Sequence, residues 1–411
     1  MPGVPDCDVA PGPLVVGAEE LAAMTLPQAD LGSAYAGYVF DSGFGGFVGN
    51  LDDAYRGSTY EATCADNKRL GRLVGYSGMY RRPSGGFAFM QTAVNLYRDP
   101  TGAAAGYAKS IEGQRQRAGE PNGDVKVGEV KEFSVPIIGE EAIGLITEST
   151  KREDGTFTST QTRITFRRGR FIAWANTVRT DRDDVKAEII ALAQRLDARI
   201  SAVLRGDIDA YAGAPPQQRI AAEQLAQMRL PLNDLGAEYA AWTGDFGAQE
   251  FTSNESFADS YRGTTIDGML RTLMSDTGRI TGYTFPYTSE DNRSKQQGAG
   301  YLSTGAHLFR TPEGARRYAA LFRDAEATMT ARGAGGLTGS VDSRDLAGVG
   351  DSALLMVTRY SNGNARTRIL FVRGRLVGDI YLYRFDNKDV GAELTALAQK
   401  LDGRIQSILP K

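Results

Sequence analysis

The chain has 411 residues, 47 basic and 50 acidic, so its formal net charge is −3 with its single histidine neutral. Charges this balanced exclude the basic excess or stripe of a nucleic-acid-binding protein, and 41% apolar against 24% charged residues excludes a disordered chain. One histidine, His307, and two cysteines, Cys7 and Cys64, cannot supply the usual four nitrogen and sulfur ligands of a zinc site; no cofactor motif is present, and no apolar run reaches the roughly 18–20 residues of a membrane span.

In chain order, residues 1–15 carry four prolines and read as an irregular arm. A short helical stretch over 18–24 is stopped by Pro27. The glycine-rich segment 41–50 fails the dinucleotide pattern, because Gly43 and Gly45 are followed by Val48 where a third glycine is needed. Ser58 and Glu61 have capping-box spacing and open a second helix. A strand over 87–97 leads to Asp99-Pro100, an N-cap side chain followed by proline at the first helical position. Strands follow at 142–147, 163–167 and 171–178, with turns at Asp154-Gly155 and Arg168-Gly169. A last helix carries Val185, Ile189, Leu192, Leu196, Ile200, Val203 and Leu204 on one stripe.

The same series then returns about 205 residues later. Leu26-Pro27, Tyr55-Arg56-Gly57, Gly75-Tyr76, Pro100-x-Gly102-Ala103, Gly139-Glu140-x-Ala142 and Arg168-Gly169-Arg170 recur in order as Leu230-Pro231, Tyr261-Arg262-Gly263, Gly282-Tyr283, Pro312-x-Gly314-Ala315, Gly350-Asp351-x-Ala353 and Arg373-Gly374-Arg375. The closing stripe recurs as Val390, Leu394, Leu397, Leu401, Ile405, Ile408 and Leu409. Chance matches would not stay collinear, and a period this long makes each copy a domain. The expected organisation is an arm (1–15), a first domain (16–205), a Pro-Pro linker (206–216) and a second domain (217–411). Strands in runs with grouped helices predict an α+β class: two homologous domains, each an antiparallel sheet with helices packed on one face.

Function is carried by few residues. Alternation in the last strand puts Phe171, Ala173 and Ala175 on one face, with Ile172, Trp174 and Val178 on the other; the second copy opposes Leu376, Gly378, Ile380 and Leu382 to Val377, Asp379, Tyr381 and Tyr383. Trp174 is replaced by Asp379, and a closed core takes that change only with a partner for the charge. This face is therefore expected to be partly wet and to bind, through Trp174, Asp379, Tyr381 and Tyr383. Tyr283, Phe285, Tyr287 and Tyr301, with Tyr76, Tyr80, Phe87 and Phe89 in copy one, suit either a ligand groove or ordinary strands. His307 stands in the slot of Asn95, as a ligand contact or a hydrogen-bonded strand residue. Cys64 is either a buried thiol or disulfide-bonded to Cys7. Glu140 and Asp351 suit turn caps. With Glu141 and Asp379 they are also the acids a carboxylate-based hydrolase or lyase would need. Arg56 and Arg262 suit a turn or an anion clamp.

The run of a Pro-x-Gly-Ala helix, a Gly-Asp/Glu-x-Ala strand, an Arg-Gly-Arg hairpin and a closing Ala-x-x-Leu helix resembles small extracellular domains of Gram-positive and related bacteria: the mycobacterial lipoproteins with a PsbP-like fold and the extracellular sensor domains of serine/threonine kinases. The resemblance implies an exported or surface-associated, non-catalytic protein that binds a small molecule or a protein partner through its sheet faces or the cleft between its domains, with a lipid anchor on the precursor as one route to the surface. The alternatives are a carboxylate-based hydrolase or lyase and a structural component of a surface assembly. The first residues show neither a basic stretch nor an apolar core. The expectation is a processed extracellular or cell-surface chain, with a cytoplasmic location as the alternative.

Overall fold

The computed structural model describes residues 9, 15–40, 46–48, 60–82, 88–119, 121–122, 125–181, 183–211, 219–244, 273–274, 276–333 and 337–409. The capping-box residue Ser58, Phe87, Cys7, Arg56 and Arg262 lie outside them. The chain divides into two compact units, residues 7–213 and 214–411.

The N-terminal unit runs α1 (Ala18–Ala23), β1 (Val39–Phe40), β2 (Gly46–Val48), α2 (Tyr60–Leu70), β3 (Arg72–Arg81), β4 (Phe89–Tyr97), α3 (Pro100–Gln116), β5 (Pro121–Asn122), β6 (Val125–Phe133), β7 (Glu141–Lys151), β8 (Phe157–Arg168), β9 (Phe171–Arg179) and α4 (Lys186–Arg205). The C-terminal unit runs α5 (Ala222–Gln227), α6 (Leu232–Leu235), β10 (Thr243–Gly244), β11 (Arg279–Thr288), α7 (Glu290–Lys295), β12 (Ala299–Phe309), α8 (Pro312–Ala331), β13 (Gly339–Leu346), β14 (Ser352–Tyr360), β15 (Ala365–Arg373), β16 (Leu376–Arg384) and α9 (Gly391–Ile408). Each unit is α+β with one antiparallel sheet. The strand orders are β1-β3-β4-β9-β8-β7-β6-β5, with β2 also on β3, and β10-β11-β12-β16-β15-β14-β13. Without the short edge strands, both orders run along the first two long strands, the last strand of the meander, and back through it.

Hydrogen bonds outside the ladders repeat as well. Asp99 and Thr311 cap α3 and α8 by accepting from the Gly102 and Gly314 amides, at 2.8 and 3.0 Å. Tyr80 and Tyr287 donate to the Leu26 and Leu230 carbonyls, and the Leu26 and Leu230 amides donate to Thr92 and Thr304. Glu140 and Asp351 accept from the Gly169 and Gly374 amides, so both acids close a β-turn. Arg199 and Arg404, on α4 and α9, donate to the carbonyls of Ala23 and Gln227.

Helices pack against each sheet, and residues on both of its faces are buried. In the N-terminal unit, α3 packs its Ala103, Tyr107 and Ile111 against Tyr97 and Ile172. Arg199 ties α4 to α1, beside the segment whose Leu26 bonds Thr92, a residue that strand alternation puts on the other face. In the C-terminal unit, Tyr318 and Phe322 of α8 join one core with Phe309, Leu370, Val372 and Val377, while Ile369, Phe371, Ile380 and Leu382, which alternate with them, are buried too. Successive residues of β15 and β16 are buried on both faces along most of each strand, so each face needs its own cover.

A ligand-sized cleft and its closed counterpart

The face expected to be wet has two different fates. In the C-terminal unit it is sealed. Asp379 is 2% exposed and His307 1%. Arg368 reaches Asp379 with both ends of its guanidinium, at 2.8 Å from Nε to Oδ1 and in a closer contact to Oδ2. The His307 Nε2 lies 3.1 Å from Asp379 Oδ2, and its Nδ1 lies 2.9 Å from the Arg279 guanidinium. A guanidinium only donates, so Nδ1 accepts and Nε2–H donates, a neutral tautomer. Burial first, and the Arg279 charge second, press the imidazole down to about 4. Burial acts to raise the Asp379 carboxyl, but the Arg368 and His307 contacts overrule it and keep it ionised. Burial also acts against the Arg368 cation, and the Asp379 charge overrules that, raising the guanidinium above its usual value. Over this chain lie Tyr318, 5.9 Å from His307 and 4.9 Å from Phe309 between ring centres, and Phe322, with Arg368 4.3 Å from its centre. The charge brought in by the Trp174-to-Asp379 difference is matched by a partner inside the fold, and water is not needed to carry it.

In the N-terminal unit the equivalent space is open. A cleft of about 500 Å³ lies between α2, α3 and the sheet. Six residues after their shared proline, α3 has Gly106 where α8 has Tyr318; one turn later it has Ser110 where α8 has Phe322. Both small residues line the cleft. Gly106 is small for a local reason too: a Cβ there would sit 2.7 Å from the Tyr97 hydroxyl. The floor is β3, β4, β8 and β9, contributing Ser77, Gln91, Ala93, Asn95, Arg163, Ile172 and Trp174.

Arg163 occupies the position of Arg368, but Trp174 stands where the acid would be. The guanidinium lies 4.6 Å above the indole centre and donates from Nε to Thr165 Oγ1 at 3.0 Å. Burial, and then the charge of Arg117, depress it from 12.5 to about 10; it is still a cation at neutral pH. Gln91 holds the indole edge, accepting from Trp174 Nε1 at 3.4 Å and donating to Ser77 at 2.8 Å. Arg72 donates to Asn95 at 2.9 Å, as Arg279 does to His307. Among the cleft residues there are four cations, Arg72, Lys109, Arg117 and Arg163, and one carboxylate, Asp66. Asp66 is already engaged by Lys109 and Arg69, and the Lys109 hydrogen bond lowers it.

The remaining sequence candidates separate by face. Tyr283, Phe285 and Tyr287 are 1–2% exposed; Tyr287 bonds Leu230 and Arg229 lies 5.6 Å from the Phe285 centre. They are core on the face opposite His307, which fits the second of the two readings of them, ordinary strand residues: alternating aromatics in a strand with both faces covered fill a core. Tyr80 is buried likewise, whereas Tyr76 lines the cleft. Tyr301 and Tyr381 stack at 5.5 Å, and Tyr383 accepts from Asn364; all three are half-buried. Glu140 and Glu141 both pair with Arg167, Asp351 pairs with Arg373, and Asp379 is sealed against Arg368; none of the four lines the cleft. Among the described residues, no group of three or more His, Cys, Asp or Glu is placed to hold a metal ion, and no helix is long and apolar enough to cross a membrane. Cys64 is buried and disulfide-bonded; the chain's other cysteine is Cys7. Sequence reading missed Arg163, Arg117, Gly106 and Ser110. The signal for the last two was present, since aligning α3 with α8 beyond the Pro-x-Gly-Ala motif sets glycine and serine against tyrosine and phenylalanine.

No family model matches the chain, and no curated protein sequence matches it. Among solved structures, it is similar to the extracellular domain of PknH from Mycobacterium tuberculosis, at 14% identity over 47% of this chain and 100% of that one, with a TM-score of 0.31. A likeness of that size carries no functional argument.

Proposed function

We propose that the protein is an exported, non-catalytic binding protein in which the N-terminal unit takes a small ligand in the cleft under α2 and α3, and the C-terminal unit is a sister domain whose cleft has been filled. The observation that carries this reading is the contrast at one helix face: Ser110 lines open space where Phe322 packs into a core, and Gly106, against Tyr97, stands where Tyr318 does. A cavity of about 500 Å³ is within the range that small-molecule sites occupy. The lining offers amides, hydroxyls, cations and an indole, but a single carboxylate already committed to Lys109, which suits recognition better than acid–base chemistry. The bonded Cys64 supports an oxidising compartment, and with it an extracellular or cell-surface location.

Ser110→Phe tests the reading by copying the closed unit. A panel of small molecules of mixed charge and polarity is assayed by thermal shift on the full chain. At least one compound should raise the melting temperature of the wild type and leave Ser110→Phe unmoved. Shifts equal in both proteins, or none in either, would overturn the cleft as a binding site.

A further inference from the structure

Resting on that reading, we infer that the cleft selects small organic anions with a flat face: a carboxylate or comparable acidic group at Arg163 and Arg117, and a planar ring system against Trp174. The argument is one of charge balance between two otherwise matched sites. At the same position in the sheet, Arg368 is neutralised by Asp379 within hydrogen-bond distance, and the space above it is packed with aromatic side chains. Arg163 has kept the guanidinium and lost the acid. Among the described residues neither it nor Arg117 is paired with a carboxylate. A half-buried cation facing an open cleft is a place where an incoming anion gains, because it supplies a counter-charge the fold omits at a guanidinium partly shielded from water. The residue that took the place of the acid is the one with the largest flat apolar surface, held at its edge by Gln91 and covered over one face by Arg163, so a ligand ring packs on the indole surface that remains. Ile172, Leu70 and Ala93 extend that apolar surface, and the amides of Gln91 and Asn95 sit beside it. Inorganic anions would satisfy the cations and leave the indole unused; neutral aromatics would use the indole and leave the cations unpaired.

The test is isothermal titration of the full-length chain with three probes: 1-naphthoate, its neutral counterpart 1-naphthamide, and inorganic phosphate. Naphthoate should bind at least tenfold more tightly than either of the others, and more weakly as salt is raised. Arg163→Gln should abolish the preference for naphthoate over naphthamide, Arg163→Lys should restore part of it, and Trp174→Leu should bring naphthoate down to the level of phosphate. Circular dichroism of each variant checks that the fold is retained. Naphthamide binding as tightly as naphthoate would overturn the anion while leaving the cleft a ligand site. Phosphate binding as tightly as naphthoate would overturn the flat face. If none of the three binds, the inference fails, and the Ser110→Phe comparison decides the cleft separately.

Discussion

Asp379 shows how one carboxylate is kept in an apolar core. It accepts from Arg368 and from His307, and His307 accepts in turn from Arg279, so the chain of hydrogen bonds leaves neither acid nor imidazole without a partner. Asp379→Asn would leave the Arg368 guanidinium buried without its counter-charge, and a loss of about 3–5 kcal/mol is expected by urea unfolding. Pairing it with Arg368→Met should recover most of that loss; a double variant as weak as the single one would mean the pair is not the cause. His307 adds a pH dependence of known sign. Its folded value is about 4 against 6.5 for an imidazole free in water, so between those values the unfolded chain takes up a proton that the fold refuses. The contribution is complete above about pH 6.5 and is lost as pH falls towards 4, by roughly 3 kcal/mol at most. His307→Asn, which copies Asn95, should flatten the wild-type decline in unfolding free energy between pH 6.5 and 4.5. A slope unchanged by the substitution would place its origin elsewhere.

At the scale of elements, the repeated Pro-x-Gly-Ala motif is a contact between helix starts and the backbone beneath them. A Cβ on Gly102 would lie 2.1 Å from the Leu70 carbonyl oxygen, and one on Gly314 would lie 2.1 Å from that of Thr277. Backbone cannot rotate away as a side chain can, so Gly102→Ala and Gly314→Ala should each cost about 1–3 kcal/mol by urea unfolding, although alanine is the better helix former. Unchanged stability would mean that α3 or α8 can lift off without loss. The closing helices are anchored in the same way in both units: Asp197 accepts from Arg168 and from the Gly139 amide, and Asp402 from Arg373 and the Gly350 amide. This much was legible in the sequence, because paired motifs and the stripe from Ile189 to Val203 mark positions where geometry tolerates little change. Leu204 departs from its stripe and is half exposed, in the last turn before the helix ends at Arg205. The cleft was not legible from strand alternation, which gives the direction of Trp174 and Asp379 but not what stands over them. That is set by α3 and α8, and reading it requires comparing two helices at the positions that face the sheet.

For the molecule as a whole, the two units differ in a covalent feature. Cys64 is on α2, in the unit of residues 7–213, and the only other cysteine of the chain precedes it at position 7. A cross-link of that kind stabilises chiefly by restricting the unfolded chain, typically by about 2–4 kcal/mol, and only the unit containing the closed loop benefits. The other unit relies on its apolar core and its buried ion pair. Calorimetry of the full chain should therefore respond to reductant in one part of its unfolding profile alone. Under reducing conditions the transition sensitive to Ser110→Phe should move to lower temperature, and the transition sensitive to Asp379→Asn should stay where it is. Native protein should show no thiol reactive to Ellman's reagent, and two should appear after reduction and unfolding. If reductant lowered both transitions together, the units would not unfold independently. If thiols were reactive in the native protein, the cross-link would be absent, and the case for an oxidising compartment would lose its chemical basis.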